Sequence, residues 1–380
     1  MLSLVIVEGT QPIPRPLMSR QGPGLLVHEW GTFTSVAGRD DFALVWRPLT
    51  FESDLPSFVY SADKGASWRG YQYPTKSGLA VTVRMETPVL YFYTKQEMAV
   101  TVKVDFPGGR ITEWYPRALA QRSSIDWGEV TVMPGAQVYL PNDFSENHYY
   151  PARETDGAPV RVNIEGKTEH EKFLFYRGVG DFELPLLIRL AEDKVLLTNE
   201  SEDSLGKVIL FENSGGKIGY RLLSMHRGRV QLERPLLDSD LEAVRREIRS
   251  MLISNGLFEK EADAMLNTWR NSWFEEGLGV FYILPRKKTD SILPLTISPQ
   301  PAEIVRVLVG RTELLTPEME KDVISQIMLL QDPSAGVSEA ARKEINKYGR
   351  FLESILMEIR RHTTDPQIRT AVNRLLEERE

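Results

Sequence analysis

From residue 79 to 225 one pattern recurs. Short runs of β-branched and aromatic residues alternate in polarity, and many are closed by a turn pair. "LAVTVRMETPVLYFYT" alternates over 79–94. "MAVTVKVDFPGGRITEWYP" (98–116) reads as a strand, a Pro-Gly-Gly turn and a second strand. "EVTVMPGAQVYLP" repeats that logic around Pro134-Gly135, and "GKVILFENSGGKIGYRLLSM" does so around Gly215-Gly216. Period-two alternation puts successive side chains on opposite faces, and Gly and Pro supply the turn geometry. Strands at this spacing, with no β-α-β alternation, predict an α+β chain. Its N-terminal region, 25–235, is expected to be an antiparallel β-sandwich-like unit.

The pattern changes at Pro235. "DSDLEAVRREIRSMLISNG" opens on the capping candidates Asp238 and Asp240 and stops at Gly256. "EKEADAMLNTWRNSWFEEG" carries an apolar stripe of Ala262, Met265, Leu266, Trp269 and Trp273 and stops at Gly277. This is a helical hairpin. Strands return at 278–285 and 303–315, and are expected to pack on the sheet within a 236–315 unit. From Thr316 as N-cap and Pro317 at N1, the chain reads as a helical region to 380. With 380 residues, more than one such unit is expected. Residues 1–24 are rich in Pro and Gly and read as an irregular leader. Their one apolar run, Leu2 to Val7, lacks the basic flank of a signal peptide.

Composition removes several classes. The net charge of −7 argues against nucleic-acid binding, which needs a basic footprint. There is no cysteine, so no disulfide, thiolate metal site or cysteine nucleophile. No segment reaches the ~18 apolar residues of a membrane span. "YRGVGDF" lacks the third glycine and the following helix of a dinucleotide site, and neither a Walker A sequence nor a Gly-x-Ser-x-Gly elbow occurs. No NAD, nucleotide or haem is expected.

Chemistry concentrates in few places. In "LLVHEWGTFTSV" (25–36), alternation sends His28, Trp30, Thr32 and Thr34 to one face. Val27, Glu29, Gly31 and Phe33 go to the other. Glu29 therefore faces the more apolar side, where a charge needs an arginine, a metal or a proton. Glu275 and Glu276 fall in the last predicted turn of the second hairpin helix, against the dipole, with Arg270 and Arg286 as candidate partners. These acids and His28 are the candidate catalytic groups for activating water. Glu86 has Arg84 on its own face two residues away. His148 and His170 could join His28 around a divalent metal, whereas His362 near a helix C-terminus reads as structural. Trp30, Trp114, Tyr115, Tyr149 and Arg177 are candidate groove residues for a glycan or peptide.

"VHEWGTFTSVAG", "ETPVLYFYT", "ITEWYP", "FLFYRGVG", "SWFEEGLGVFYILPR" and "VRVLVGRTELLTPE" resemble an uncharacterised bacterial family over roughly residues 25–320. Its members often begin with an export signal just ahead of the first motif. The resemblance implies a periplasmic or extracellular setting; the lack of a recognisable signal here leaves a cytoplasmic one open. It brings no established activity, so no residue role is carried over. Three readings stand: a hydrolase-type enzyme, metal-assisted or not; a non-catalytic exported binding protein for a small molecule, glycan, peptide or envelope component; and an assembly protein docking a protein partner through its C-terminal helices.

Overall fold

In a computed structural model, residues 24–49, 55–62 and 79–378 are described. The apolar run of the leader lies outside them. The chain is α+β. Its centre is a nine-stranded sheet in the order Lys217–Met225, Gly206–Ser214, Gly277–Ile283, Glu303–Leu314, Leu26–Ala37, Val83–Tyr93, Leu174–Gly180, Gly109–Tyr115, Tyr60–Ser61. The returning strands do not pack on this sheet; they lie inside it. Glu303–Leu314 runs parallel to Leu26–Ala37 along its whole length, and Gly277–Ile283 joins it to the hairpin 206–225. That parallel pair interrupts an otherwise antiparallel order. Strands buried on both faces read as continuous apolar runs rather than clean alternation, which is why "VRVLVG" gave no hint of a central position.

Both faces of the central sheet are covered. On one, Val27, Phe33, Met85, Leu90, Tyr176 and Leu308 meet two smaller sheets through Val102, Trp127, Val160, Ile188 and Leu197. One, six-stranded, is built from Leu295–Ser298, Met98–Asp105, Ser124–Val132, Val160–Ile164 and Lys167–Glu171, with Leu119–Gln121 also paired to Ser124–Val132; the other is built from Leu186–Ala191, Lys194–Asn199 and Gly228–Glu233. The predicted hairpin around Pro107-Gly108-Gly109 is instead a crossing between layers, since Met98–Asp105 and Gly109–Tyr115 belong to different sheets. Buried Phe106 sits at the crossing, and its ring fills the space a Cβ on Gly109 would take, 2.2 Å from Cε1. Nor does Pro134-Gly135 close a hairpin: no strand is assigned between 133 and 149. Gly215-Gly216 does close one, both residues having positive φ as a tight hairpin requires.

On the other face Trp30, Tyr91, Phe281 and Val307 pack on the helices Leu241–Ser254 and Glu259–Thr268. Asp240 caps the first through Ala243 N–H at 2.7 Å. The second ends at Thr268, not at Gly277. Trp269, Trp273 and Phe274 instead turn into the core, so Glu275 and Glu276 lie in an exposed turn and oppose no helix dipole. At one end of the sheet Val36, Trp46 and Leu315 meet the C-terminal helices Pro317–Leu329, Ala335–Asn346, Leu352–His362 and Pro366–Glu377. Between the second and third of these the chain breaks at Gly349, with φ +51. The break forms a short 3-10 turn, Gly349–Phe351, which brings Arg350 against the sheet.

Candidate functional site

The alternation of Leu26–Ala37 holds. His28 and Glu29 occupy opposite faces, and each is sealed. The His28 Nδ1–H donates to Glu261 Oε2 at 2.7 Å, its ring stacks on Phe258 at 4.5 Å, and Tyr93 OH donates to Glu261 Oε1 at 2.7 Å. Glu261 also reaches back to the Phe258 N–H at 2.8 Å, so it caps its helix and pins that helix to the sheet. Burial, reinforced by Glu261, pushes the Tyr93 phenol far up, which keeps it a donor. On the other face, Glu29 faces its register partner Arg306, with Nε at 2.5 Å from Oε2, and Tyr176 OH donates at 2.6 Å. The side chains of Glu29 and Arg306 are both 0 % exposed. Burial alone works against the Arg306 charge, but Glu29 and Tyr176 outweigh it and hold the guanidinium protonated. Arg306 also donates to Asp290 and to Leu293 O. The carboxylate on the apolar face thus meets an arginine.

His28, Glu29 and the pair Glu275–Glu276 do not come together in one cleft. His148 donates to Thr268 O at 2.6 Å and lies on Trp269, while His170 sits in the six-stranded sheet opposite Arg161. The expected ligand set of His28, His148 and His170 is therefore spread over separate layers. Among the described residues the three-ligand cluster is Asp40, Glu358 and His362, all within 4.8 Å. Arg361 already bridges its two acids at 2.9 and 2.7 Å. Trp30 is core beneath the hairpin, beside Tyr91. Tyr115 and Tyr149 pack on Phe58, Trp114 stacks on Tyr60, and Arg177 bonds Glu113. These groove candidates fill space ring against ring.

An open site forms elsewhere, where the sheet meets the C-terminal helices. A narrow cleft with a cavity volume of about 30 Å³ is lined by Trp273, Phe211, Phe281 and Phe351, with Glu275, Glu276, Arg311, Glu313 and Arg350 as its charged members. Arg311 and Glu313 alternate onto one face of Glu303–Leu314 and form an ion pair there. Arg350 crosses from the C-terminal helices to bind Glu313 Oε1 at 2.7 Å and Glu275 Oε2 at 2.9 Å. Arg311 also donates to Ser272 O at 2.8 Å. Neither expected partner, Arg270 or Arg286, holds the Glu275–Glu276 pair; Arg286 pairs with Asp290. Behind the wall, Glu86 takes a hydrogen bond from Thr34 at 2.9 Å and pairs with Arg84 at 3.1 Å, as period-two spacing predicted. Burial raises the Glu86 carboxyl, but Arg84, Arg311 and Arg350 together bring it below its ordinary value.

No family model and no curated protein matches the chain. Among solved structures, the yeast delta-COP-I mu-homology domain is similar at a TM-score of 0.31 and 8 % identity, over 78 % of this chain and 100 % of that one. The same yeast domain complexed with the Dsl1 WxWxV peptide gives 0.27 and 8 %, over 77 % and 96 %. Scores this low do not establish a shared fold. The site stands on its own geometry.

That geometry has one further property. Three buried polar atoms of cleft-lining residues have no hydrogen-bond partner among the described residues: Trp273 Nε1, Arg350 Nε and Glu313 Oε2. Buried polar groups are normally paired, and leaving one unpaired costs about 1–3 kcal/mol. The cleft lining contains no histidine, serine, threonine or lysine. Aromatic faces, two arginines and three carboxylates are the groups it offers a ligand. Sequence reasoning reached Glu275 and Glu276 but missed Arg311, Glu313 and Arg350. The first two carry the same signal as Arg84 and Glu86, an alternating pair of opposite charges in an apolar strand.

Proposed function

We propose that the chain is a non-catalytic binding protein whose ligand enters the cleft between Trp273 and Phe351. The observation that supports this reading is an aromatic-lined cleft at the exposed Glu275–Glu276 turn, with buried hydrogen-bonding atoms beside it that the protein does not pair. Binding sites are concave, largely apolar and furnished with a few fixed polar groups, and this cleft has that composition. The hydrolase reading needed His28 and Glu29 to meet the Glu275–Glu276 pair across a cleft; His28 is instead committed to Glu261 and Glu29 to Arg306. A binding role also suits the exported setting that the "VHEWGTF" resemblance implies.

A ligand-observed NMR fragment screen tests the reading. Hits are expected with wild type and are lost in Met319→Trp, which fills the cleft from the helical side without touching the ion pairs. Fragments that bind wild type and Met319→Trp alike, or no hits at all, would sink the assignment.

A further inference from the structure

A second cluster lies outside the cleft lining, at the seam between the central sheet and the C-terminal helices. Leu26–Ala37 runs out into Gly38-Arg39-Asp40, and the helix Leu352–His362 packs against that segment. Glu358 and His362 are four residues apart and so are neighbours on one face of the helix. The Glu358 side chain is fully buried. Gly38 leaves the space its carboxylate fills, where a Cβ would collide with Oε2, and Arg39 N–H donates to that oxygen at 3.2 Å. One oxygen of Asp40, one of Glu358 and a ring nitrogen of His362 lie within 4.8 Å of one another. His362 Nε2 is 3.6 Å from Asp40 Oδ2 and 3.8 Å from Glu358 Oε2. These gaps are too long for hydrogen bonds. They are close to the spacing of about 3.3–3.6 Å between two ligands bonded to one tetrahedral zinc ion. The charges also leave a place for a cation. Arg39 is committed to Glu320, with Nε at 3.1 Å and Nη2 at 2.5 Å. Asp40 and Glu358 share one guanidinium, that of Arg361, at 2.9 and 2.7 Å, so the two carboxylates keep a net negative charge. The Arg361 side chain is 42 % exposed and lies over Phe42 at 4.9 Å, and it can leave Asp40 without unpacking the core.

We infer that Asp40, Glu358 and His362 form a zinc site, completed by solvent, that ties the end of the strand Leu26–Ala37 to the C-terminal helices. One imidazole and two carboxylates are a zinc donor set, whereas Mg²⁺ and Ca²⁺ favour oxygen ligands alone. Asp40 and His362 are half-buried, which gives the ion its entry path. The Arg39 N–H on Glu358 is the kind of supporting hydrogen bond that orients a ligating carboxylate. Zinc takes the place of Arg361 at Asp40 Oδ2, and Arg361 keeps Glu358 Oε1. The site is independent of the cleft and of whatever the cleft binds.

The experiment titrates the tag-free full chain, stripped with a chelator, with Zn²⁺ and with Mg²⁺ by calorimetry. Thermal unfolding is followed with and without each ion. Wild type is expected to bind one Zn²⁺ per chain in a saturable titration, and Zn²⁺ should raise the unfolding temperature because it binds the folded state. Mg²⁺ should do neither. His362→Ala, a change at a half-buried position, should weaken Zn²⁺ binding at least about tenfold. Arg361→Ala removes the competing guanidinium and should strengthen it. The two variants move affinity in opposite directions, a pattern that a general loss of folding does not produce. Three results overturn the inference: no saturable Zn²⁺ binding, affinity unchanged in His362→Ala (an adventitious ion only), or affinity equal or lower in Arg361→Ala.

Discussion

Adjacent parallel strands each carry a buried acid paired with an arginine, and the two acids differ in how their oxygens are used, although Arg306 Nη2 in the first pair is itself without a partner among the described residues. Glu29, on Leu26–Ala37, has both oxygens occupied, one by Arg306 and one by Tyr176. Glu313, on Glu303–Leu314, has one oxygen crowded by Arg311 and Arg350, while the other has no partner among the described residues. Both sit in apolar strands and both offered the same sequence signal. What separates them is completion. A buried acid whose oxygens are both filled by the protein serves to lock the fold, while an open acceptor beside a cleft is what the proposed binding role would use.

The comparison breaks most readily at the closed pair. Arg306→Leu leaves Glu29 buried without its counter-ion, and a loss of about 3–5 kcal/mol is expected. Removing both partners, as Glu29→Leu with Arg306→Leu, should recover most of that, because an apolar pair of similar volume avoids the desolvation of two charges. Urea unfolding midpoints of wild type, single and double variants measure this. A single variant as stable as wild type would mean that Glu29 is not sealed at all.

Glu86 stands between the two cases: fully enclosed, yet governed by the arginines of the cleft. Its carboxyl lies below the ordinary value of 4.5 in the folded state. A depressed carboxyl contributes stability that is complete above the unfolded-state value. That contribution is lost as pH falls from there through the folded-state value. Glu86→Gln should therefore cost about 1 kcal/mol at pH 7, the difference between charged and neutral hydrogen bonding. The gap from wild type should close in strong acid. Unfolding midpoints at pH 7 and pH 3 decide it, and a gap that widens in acid would reverse the sign argued here.

Local chemistry in the sequence foretold much of this. The opposite faces of His28 and Glu29, the Arg84–Glu86 pair, the Asp240 and Thr316 caps and the Gly215-Gly216 hairpin all depend on neighbours a few residues apart. The N-terminal strands were legible, but their distribution among three sheets was not. A turn such as Pro107-Gly108-Gly109 has the same local form whether the chain returns to its own sheet or crosses to another. The cleft was hidden for the same reason. Arg350 reaches Glu313 and Glu275 only because the helix breaks at Gly349, and no spacing along the chain relates residue 350 to 313 or 275. Similarly, the length of the hairpin's second helix was overread: Trp269 and Trp273 keep helical spacing, but they are buried by a turn.

The smallest expected change in stability falls at the open end of the comparison. Glu276 is exposed, and its one hydrogen bond is the long one from Gly215. Surface substitutions away from caps and buried pairs usually stay within about 0.5 kcal/mol, so Glu276→Gln should leave the unfolding midpoint where it is. That inertness is informative because Glu276 lines the same cleft as Glu313. A residue retained for the fold would register in the midpoint, whereas one that serves the ligand registers only in binding. If Glu276→Gln destabilises the chain as Arg306→Leu does, the mouth of the cleft belongs to the same closed framework as Glu29, and the distinction between the two acids disappears.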